Sequence, residues 1–449
     1  MRSGTLLTTS LYRTGINAFV YPLVAILALN STSARAQVAD PETIARGAYL
    51  AKVADCAGCH TAGSGRPPFA GGLPLNSPFG IIYSTNITPD PVTGIGQYTY
   101  ADFSRAMRKG IARDGRPIYP AMPYASFAAA LESDIEALYA YFMNGVKPVS
   151  YTPPQTKLPF PFNQRWTLRL WTAAFASQEQ FKPRPDRDAQ WNRGAYLVQS
   201  LGHCGACHTP RGLAYQEKGY SESSPDYLTG AVVDNWFAGN LTGNQASGLG
   251  RWTEREISAF LRTGHNGHTV AFGSMVLVIE NSTQHLSEED LNAIAHYLKS
   301  LPVRKGKISY KPHAQQTEIV LAGTVTGPFE PPGAGLYSGF CAKCHEKSGL
   351  GKTPKIPRLA GSPMVLSENT TSLIRLVLEG GKGPATRLGP KPKKMPGYAA
   401  EFTDREIADV LTFVRKNWGN RAPAVTARDV FLLRRELQEG IKNNKTNAR

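Results

Sequence analysis

Six cysteines in 449 residues fall into three copies of one pattern, "CAGCH", "CGACH" and "CAKCH", and none is left over. The pairs are Cys56 and Cys59, Cys204 and Cys207, and Cys341 and Cys344, followed by His60, His208 and His345. A disulfide framework does not require a histidine behind every second cysteine. A zinc site needs its Cys-x-x-Cys units close together and is indifferent to that histidine. A thioredoxin-like dithiol uses one active pair, whereas these three are 148 and 137 residues apart. Cys-x-x-Cys-His is the attachment pattern of c-type haem. The two thiols add to the two vinyl groups of one porphyrin, and the adjacent histidine comes to lie under the iron as its proximal ligand.

The N-terminus reads as a secretory signal. Arg2 and Arg13 precede a 12-residue apolar run, Ala18 to Leu29 ("AFVYPLVAILAL"), and an Ala-x-Ala-type site follows at Ala34 to Ala36. The run is shorter than the ~20 apolar residues that span a bilayer. An uncleaved anchor is the alternative. Cleavage after residue 36 leaves an exported, non-spanning chain of 413 residues. Arg2, Arg13 and Arg35 supply three of the +16 net charges, leaving +13. A basic surface suits nucleic acid, anionic lipid or an acidic protein, and export excludes the first. Gly and Pro, 43 and 33 residues, make about 17% of the chain against a usual ~12%. Loops and cofactors, more than dense secondary structure, are expected to organise such a chain.

The motifs head internal repeats. "RGAYL" occurs at Arg46 to Leu50 and again at Arg193 to Leu197. Further on, the first two units align at an offset of 154: "NIT" from Asn86 with "NLT" from Asn240, "GIGQYT" from Gly94 with "GLGRWT" from Gly248, and Gly110 with Gly264. The third unit is shorter and more diverged. Each unit closes on an amphipathic helical pattern opened by Ser133, Ser287 or Thr403, with acidic residues in the first turn. Pro-rich segments, "KPVSYTPPQTKLPFPF" and "GPFEPPGAG", mark two linkers.

Each iron needs a second axial ligand. The first unit has no histidine besides His60, and methionine is the common alternative. Met107 maps onto Leu261 and Met143 sits in the closing helix, so both read as core. Met122, in the Pro-bounded "YPAMPY", maps to within one residue of Met275. In the second unit His265 and His268 keep a bis-histidine site open beside Met275, while His203, His285 and His296 are further rivals. In the third unit Met395 ("KKMPGY") follows the helical segment in the right order, and Met364 precedes it. Met122, Met275 and Met395 are the expected ligands. An iron with two protein ligands passes electrons and has no open position for substrate.

Other residues carry two readings each. Arg211, just after the second motif, suits a haem propionate or simple exposure. Asn86 and Asn240 suit pocket walls or turns. "RWTLRLWTAAF" (165–175) suits a membrane interface, a partner, or packing on its own protein. The tail from Thr426 is a basic amphipathic helix with Val430, Leu433, Leu437 and Ile441 on one face.

The sequence resembles the triheme cytochrome c subunits of quinone-reducing, membrane-bound dehydrogenases acting on alcohol, gluconate, sorbitol or fructose. "YSTNITPDPVTGIGQYTYADFSRAMRKGI", "DGRPIYPAMPY", "GHCGACHTPRG", "GLGRWTEREI", "NSTQHLSEEDL" and "MPGYAAEFTDREIADVLTFVRKNWG" carry the resemblance over nearly the whole mature chain. It implies a mainly α fold of three tandem cytochrome c-like haem domains joined by Pro-rich linkers. Residues 1–36 are the signal peptide, 40–147, 185–305 and 330–420 the haem domains, and 421–449 the tail. The resemblance also implies three covalent haem c groups and axial roles for the methionines of "PAMPY", "FGSM" and "KKMPGY". Electrons would pass from the flavin or pyrroloquinoline quinone of a large catalytic subunit, with a small third subunit alongside, to ubiquinone. The chain would then be an electron-transfer subunit and not the substrate-oxidising one, peripheral on the periplasmic face. The short C-terminus favours gluconate and other sugar derivatives over alcohol. A free periplasmic shuttle to an oxidase is the alternative, and a haem peroxidase would need an open iron.

Overall fold

A computed structural model describes residues 40–447, apart from 64, 177–178, 305, 307, 309 and 311–330. The signal peptide and part of the second Pro-rich linker lie outside the described residues. The described chain is mainly helical; one element order recurs behind the first two motifs, while in the third the strand pair follows a helix instead of preceding it.

The first stretch runs α1 (Pro41–Val53), α2 (Cys56–His60), hairpin strands β1 (Pro74–Ser77) and β2 (Gly80–Tyr83), α3 (Tyr100–Lys109), α4 (Tyr124–Phe127) and α5 (Glu132–Ala140). α6 (Thr167–Phe175) leads into α7 (Ala189–Gln199), α8 (Gly205–His208), β3 (Ala231–Val233), β4 (Trp236–Ala238), α9 (Glu254–Thr263), α10 (Ser274–Asn281) and α11 (Glu288–Ser300). The third stretch has α12 (Ala334–Leu336), α13 (Ala342–His345), α14 (Thr371–Glu379), β5 (Gly381–Lys382), β6 (Lys394–Met395), α15 (Asp404–Lys416) and α16 (Ala427–Asn447). The strand pairs are antiparallel, in register Leu75↔Ile82, Val232↔Phe237 and Gly381↔Met395.

Local chemistry explains much of the repetition. Thr99 and Thr253 open α3 and α9 with reciprocal caps to Asp102 and Glu256, satisfying end N–H groups. Gly110 and Gly264 end the same helices at φ 60° and 76°, where a side chain would be strained. Ser287 and Thr403 cap α11 and α15 as the pattern predicts. Ser133 does not cap. α5 starts one residue earlier, behind Leu131, whose backbone N–H donates to the Tyr196 hydroxyl at 3.1 Å.

α1 crosses α5 and α7 crosses α11 at a glycine of "RGAYL". A Cβ on Gly47 would stand 1.9 Å from the Ala137 carbonyl oxygen, and one on Gly194 2.0 Å from that of Ala293. The flanking side chains join the two stretches reciprocally. Asp134 accepts from Arg46 Nη2 at 2.5 Å in its own stretch and from the Tyr196 hydroxyl at 2.5 Å in the next. Asp290 accepts from Arg193 Nε at 2.7 Å and, in return, from the Tyr49 hydroxyl at 2.6 Å. Around this exchange one continuous hydrophobic core runs from Leu50, Ile135 and Leu138 to Trp191, Leu197, Leu291 and Tyr297. A second core, from Tyr337 and Ile374 to Phe413, belongs to the third stretch. Val430 and Leu433 of α16 are buried in it and Leu437 packs against it, so this part of the tail's apolar face is spent on its own protein, while the side chain of Ile441 lies outside the described residues.

The first Pro-rich segment is a strap rather than a free spacer. Asn86 Nδ2 donates to the Val149 and Tyr151 carbonyls, Tyr83 N donates to Thr156 Oγ1, and Leu158 is buried.

Candidate haem sites

In each motif a short helix turns the two cysteines toward one side, and all six thiols are free. The residue before the first cysteine has a left-handed backbone in two of them, Asp55 at φ 47° and His203 at φ 36°. Burial pushes Cys56, Cys59 and Cys204 up to about 12 and Cys341 up to about 11, and it raises Cys207 too. Buried in this way, the thiols are neutral at neutral pH.

The three histidines share one arrangement. Nδ1 of His60 lies 2.6 Å from the Thr85 carbonyl oxygen, that of His208 2.7 Å from Gly239 O, and that of His345 3.1 Å from Pro357 O. A carbonyl only accepts, so each ring carries its proton on Nδ1 and presents a bare Nε2, the form a metal-ligating imidazole takes. Burial lowers the pKa of all three against the opposing pull of the carbonyl, which keeps the rings neutral. These residues fit a c-type haem: two thiols and one pre-oriented imidazole at every motif.

The second motif opens on a cavity of about 270 Å³. Cys204, Cys207 and His208 line one side, and Met275, at the start of α10, lines it too, among Leu249, Trp252, Phe260 and Val270. His265 and His268 are not in that lining. His265 Nδ1 bonds the Pro354 carbonyl at 2.8 Å, while His268 stacks on Trp252 and contacts Glu256 at 3.0 Å. His285 bonds the Glu280 carbonyl and His296 bridges Glu254 and Asp188. His203 does line the cavity, with Nε2 3.3 Å from the Ala54 carbonyl oxygen. Met122 sits in a turn between Tyr119 and Tyr124, packed on the core that Cys56 also touches. Met395, on β6, packs with Cys341 on the third stretch's core. Met107 is buried and Met143 packs on the first core, as expected of filler residues.

Sequence reasoning missed what the neighbours contribute. Val53 and Asp55 reach the second cavity from the first stretch, and Pro363, Met364 and Ser367 reach it from the third. Met364, set aside for its own stretch, thus serves the adjacent one. Asn86 and Asn240 are turn-formers: each Oδ1 accepts from the N–H two residues on, at 2.9 and 2.8 Å, and Asn240 also lines the cavity. Arg211 is neither exposed nor free, donating to the Ala206 carbonyl and lying 3.7 Å from Glu217.

Comparison with known proteins identifies the family. The cytochrome c family model matches residues 331–418. The chain is 47% identical over 403 residues to the cytochrome c subunit of alcohol dehydrogenase (quinone) from Gluconacetobacter polyoxogenes, covering 88% of this chain and 85% of that one. The gluconate 2-dehydrogenase cytochrome c subunit of Pantoea cypripedii is 44% identical over 416 residues, 91% and 93% of the two chains. The fructose dehydrogenase cytochrome subunit of Gluconobacter japonicus is 37% identical over 440 residues, 92% and 88%. This chain belongs to the family of dehydrogenase cytochrome c subunits. Covalently bound haem c is the cofactor of such a subunit, and electron transfer is the role its sites support.

The described surface of this cytochrome c subunit carries an apolar region on one helix. On α6 and the turn before it, Trp166 and Leu170 are 63% and 65% exposed, beside exposed Phe160. Trp171 of the same helix faces inward, donating to the Ala214 carbonyl at 2.8 Å. One side of the helix thus packs on its own protein and the other is left exposed. Among the described residues no helix is long and apolar enough to cross a membrane.

Proposed function

We propose that this chain is a triheme electron relay, passing electrons from the catalytic subunit of a periplasmic dehydrogenase to ubiquinone in the membrane. The observation that carries the reading is the threefold recurrence of two free thiols beside an imidazole held by its Nδ1 on a backbone carbonyl. Cys56, Cys59, Cys204, Cys207, Cys341 and Cys344 attach the three haems of three tandem units, 40–147, 185–305 and 330–420. His60, His208 and His345 are the proximal ligands, and Met122, Met275 and Met395 the distal ones. With both axial positions filled, the irons exchange electrons without binding substrate, and methionine ligation raises their potentials relative to bis-histidine. The central cavity, touched by residues of both flanking stretches, suits a relay in which the second haem communicates with the other two.

The relatives are named as cytochrome subunits of alcohol, gluconate and fructose dehydrogenases, which supports a dehydrogenase catalytic subunit as the partner. The partner proposed is a large subunit oxidising a sugar acid, polyol, sugar or alcohol with flavin or pyrroloquinoline quinone, alongside a small third subunit. Residues 1–36 direct export and are removed. The exposed aromatic and aliphatic side of α6, on a basic protein, supports peripheral attachment to the periplasmic face.

A pyridine haemochrome assay on the purified chain is expected to give three haems per polypeptide, low-spin in both redox states. One haem or none refutes the reading. The complex with its dehydrogenase should reduce ubiquinone with the partner's substrate; a chain that purifies alone without detergent, and supports no quinone reduction, is the free shuttle instead. Met275→Ala should open one iron to cyanide, whereas the wild-type chain binds none.

A further inference from the structure

Glu217 is a carboxylate that electron relay through axial ligands alone does not require. It lies on the segment returning from the second motif, bridged backbone to backbone with Arg211, and is 9% exposed. Its Oε2 has no hydrogen-bond partner. The cation facing it is Arg211, whose Nη1 is 3.7 Å from Oε1, beyond hydrogen-bond length, and whose Nη2 is committed to the Ala206 carbonyl.

The carboxylate packs directly on the haem-attachment turn. A Cβ on Gly205, the residue after Cys204, would stand 2.7 Å from Glu217 Oε2 and 3.4 Å from the Tyr227 ring. Glycine at that position is what lets an acid sit there. The other titratable groups facing it are Tyr220 and Tyr227 on its own segment and Cys207 on α8, whose thiol is consumed by attachment. Asp55, from the first stretch, faces the same Cys207.

A buried, half-partnered carboxylate is poised between its two protonation states. Burial pushes Glu217 up to about 7, with Arg211 pulling it partly back. Glu217 packs on the turn between Cys204 and Cys207, so an electron on a haem attached there would add negative charge on its side of the protein interior, which favours the protonated acid. By linkage, ionising the acid must then lower the potential of that haem.

We propose that Glu217 is a redox-linked proton site of the second haem, binding a proton at its carboxylate when that haem is reduced and releasing it on oxidation. This rests on the assignment of Cys204, Cys207 and His208 to a haem. One electron enters, up to one proton from solvent joins the carboxylate, and no covalent bond to carbon changes. Glu217 touches neither iron nor substrate, and acts on the potential through its charge.

The test is a redox titration of the full-length holoprotein between about pH 5.5 and 8.5, with infrared difference spectra of the reduced and oxidised states. In the wild type one of the three waves should fall in potential as pH rises through about 7. A carboxylic acid C=O band should appear on reduction. Glu217→Gln should flatten that wave, leave the other two where they are, and remove the band. An unchanged wave in Glu217→Gln overturns the proposal, and so does a wild-type protein that gains no carboxylic acid band. The infrared measurement needs no variant and decides the matter if Glu217→Gln fails to load haem. A wild-type haem count below three strikes the haem assignment itself; three haems with pH-independent potentials strike only this inference.

Discussion

At the scale of single residues, the fold's strongest polar commitment outside the haem sites is Arg415. Its side chain is 1% exposed, with Nη1 donating to the Val365 and Ser367 carbonyls at 2.7 and 2.9 Å and Nε to Pro423 O at 2.8 Å. Burial pushes the guanidinium down to about 10, still charged at neutral pH. Arg415→Met would strand the two buried carbonyls of Val365 and Ser367 and should cost about 2 kcal/mol or more, at ~1–3 kcal/mol per abandoned group; chemical denaturation of the third stretch's core measures it. His296 makes the opposite kind of contribution. Burial alone would lower its pKa, but hydrogen bonds to Glu254 and Asp188 outweigh that and raise it. The folded state therefore binds its proton more tightly than the unfolded chain. The resulting stability is fully present below the unfolded value near 6.5 and is lost as pH rises through the folded one. Its partners are solvent-exposed, so the effect should be only about 0.5 kcal/mol. Denaturation midpoints of wild type and His296→Gln should differ at pH 5.5 and converge at about pH 9. The thiols and imidazoles of the three motifs were plain in the sequence because the Cys-x-x-Cys-His spacing is local. Asp55 and Glu217 were not, because an acid's burial depends on residues that the motif does not contain.

At the scale of elements, "RGAYL" shows how a visible repeat can hide its reason. The sequence displays two copies; the structure shows that glycine lets helices cross in backbone contact, while arginine and tyrosine reach different aspartates. The tyrosine's partner lies 241 residues away in one case and 62 in the other, which no local pattern encodes. Gly194→Ala would push a methyl group 2.0 Å from a carbonyl oxygen that belongs to a helix and cannot yield. It should lower stability by about 3 kcal/mol, the upper part of the range for overpacking. Gly440, on α16, meets nothing within 4 Å. Gly440→Ala should instead stabilise by about 0.5–1 kcal/mol through helix propensity. Thermal denaturation of the two variants should move in opposite directions; equal effects would mean that the crossing is looser than described. The closing helices were legible from their caps and apolar spacing. The start of α5 was not: the helix begins behind Leu131, with no side-chain cap, and Leu131's own N–H is satisfied by Tyr196 from another stretch.

At the scale of the whole molecule, the repeats lead one to expect beads on a string, and the packing argues for a different unit of folding. The first core is continuous from Leu50 to Leu301, the Pro-rich segment is tied down along its length, and two aspartates each hold a tyrosine of the other stretch. Residues 40–147 taken alone would expose the apolar surface now covered by Trp191, Tyr196 and Leu197 and would leave Asp134 without its tyrosine. A domain of that size has little margin, since total stabilities run about 5–15 kcal/mol and each large apolar side chain uncovered forfeits about 1.5–3 kcal/mol. Expressed with haem-maturation machinery, residues 40–147 should therefore yield little soluble haem protein. Residues 40–305 should yield a stable fragment with two haems and a single cooperative unfolding transition. The third stretch closes its own core with α16, so a transition of its own is expected for it in the full chain. Calorimetry of the holoprotein and of the 40–305 fragment measures both expectations. A soluble, low-spin 40–147 fragment with native stability would show that the shared core is an interface between independent domains, and that the reciprocal tyrosines orient the first two haems without being needed to fold around them.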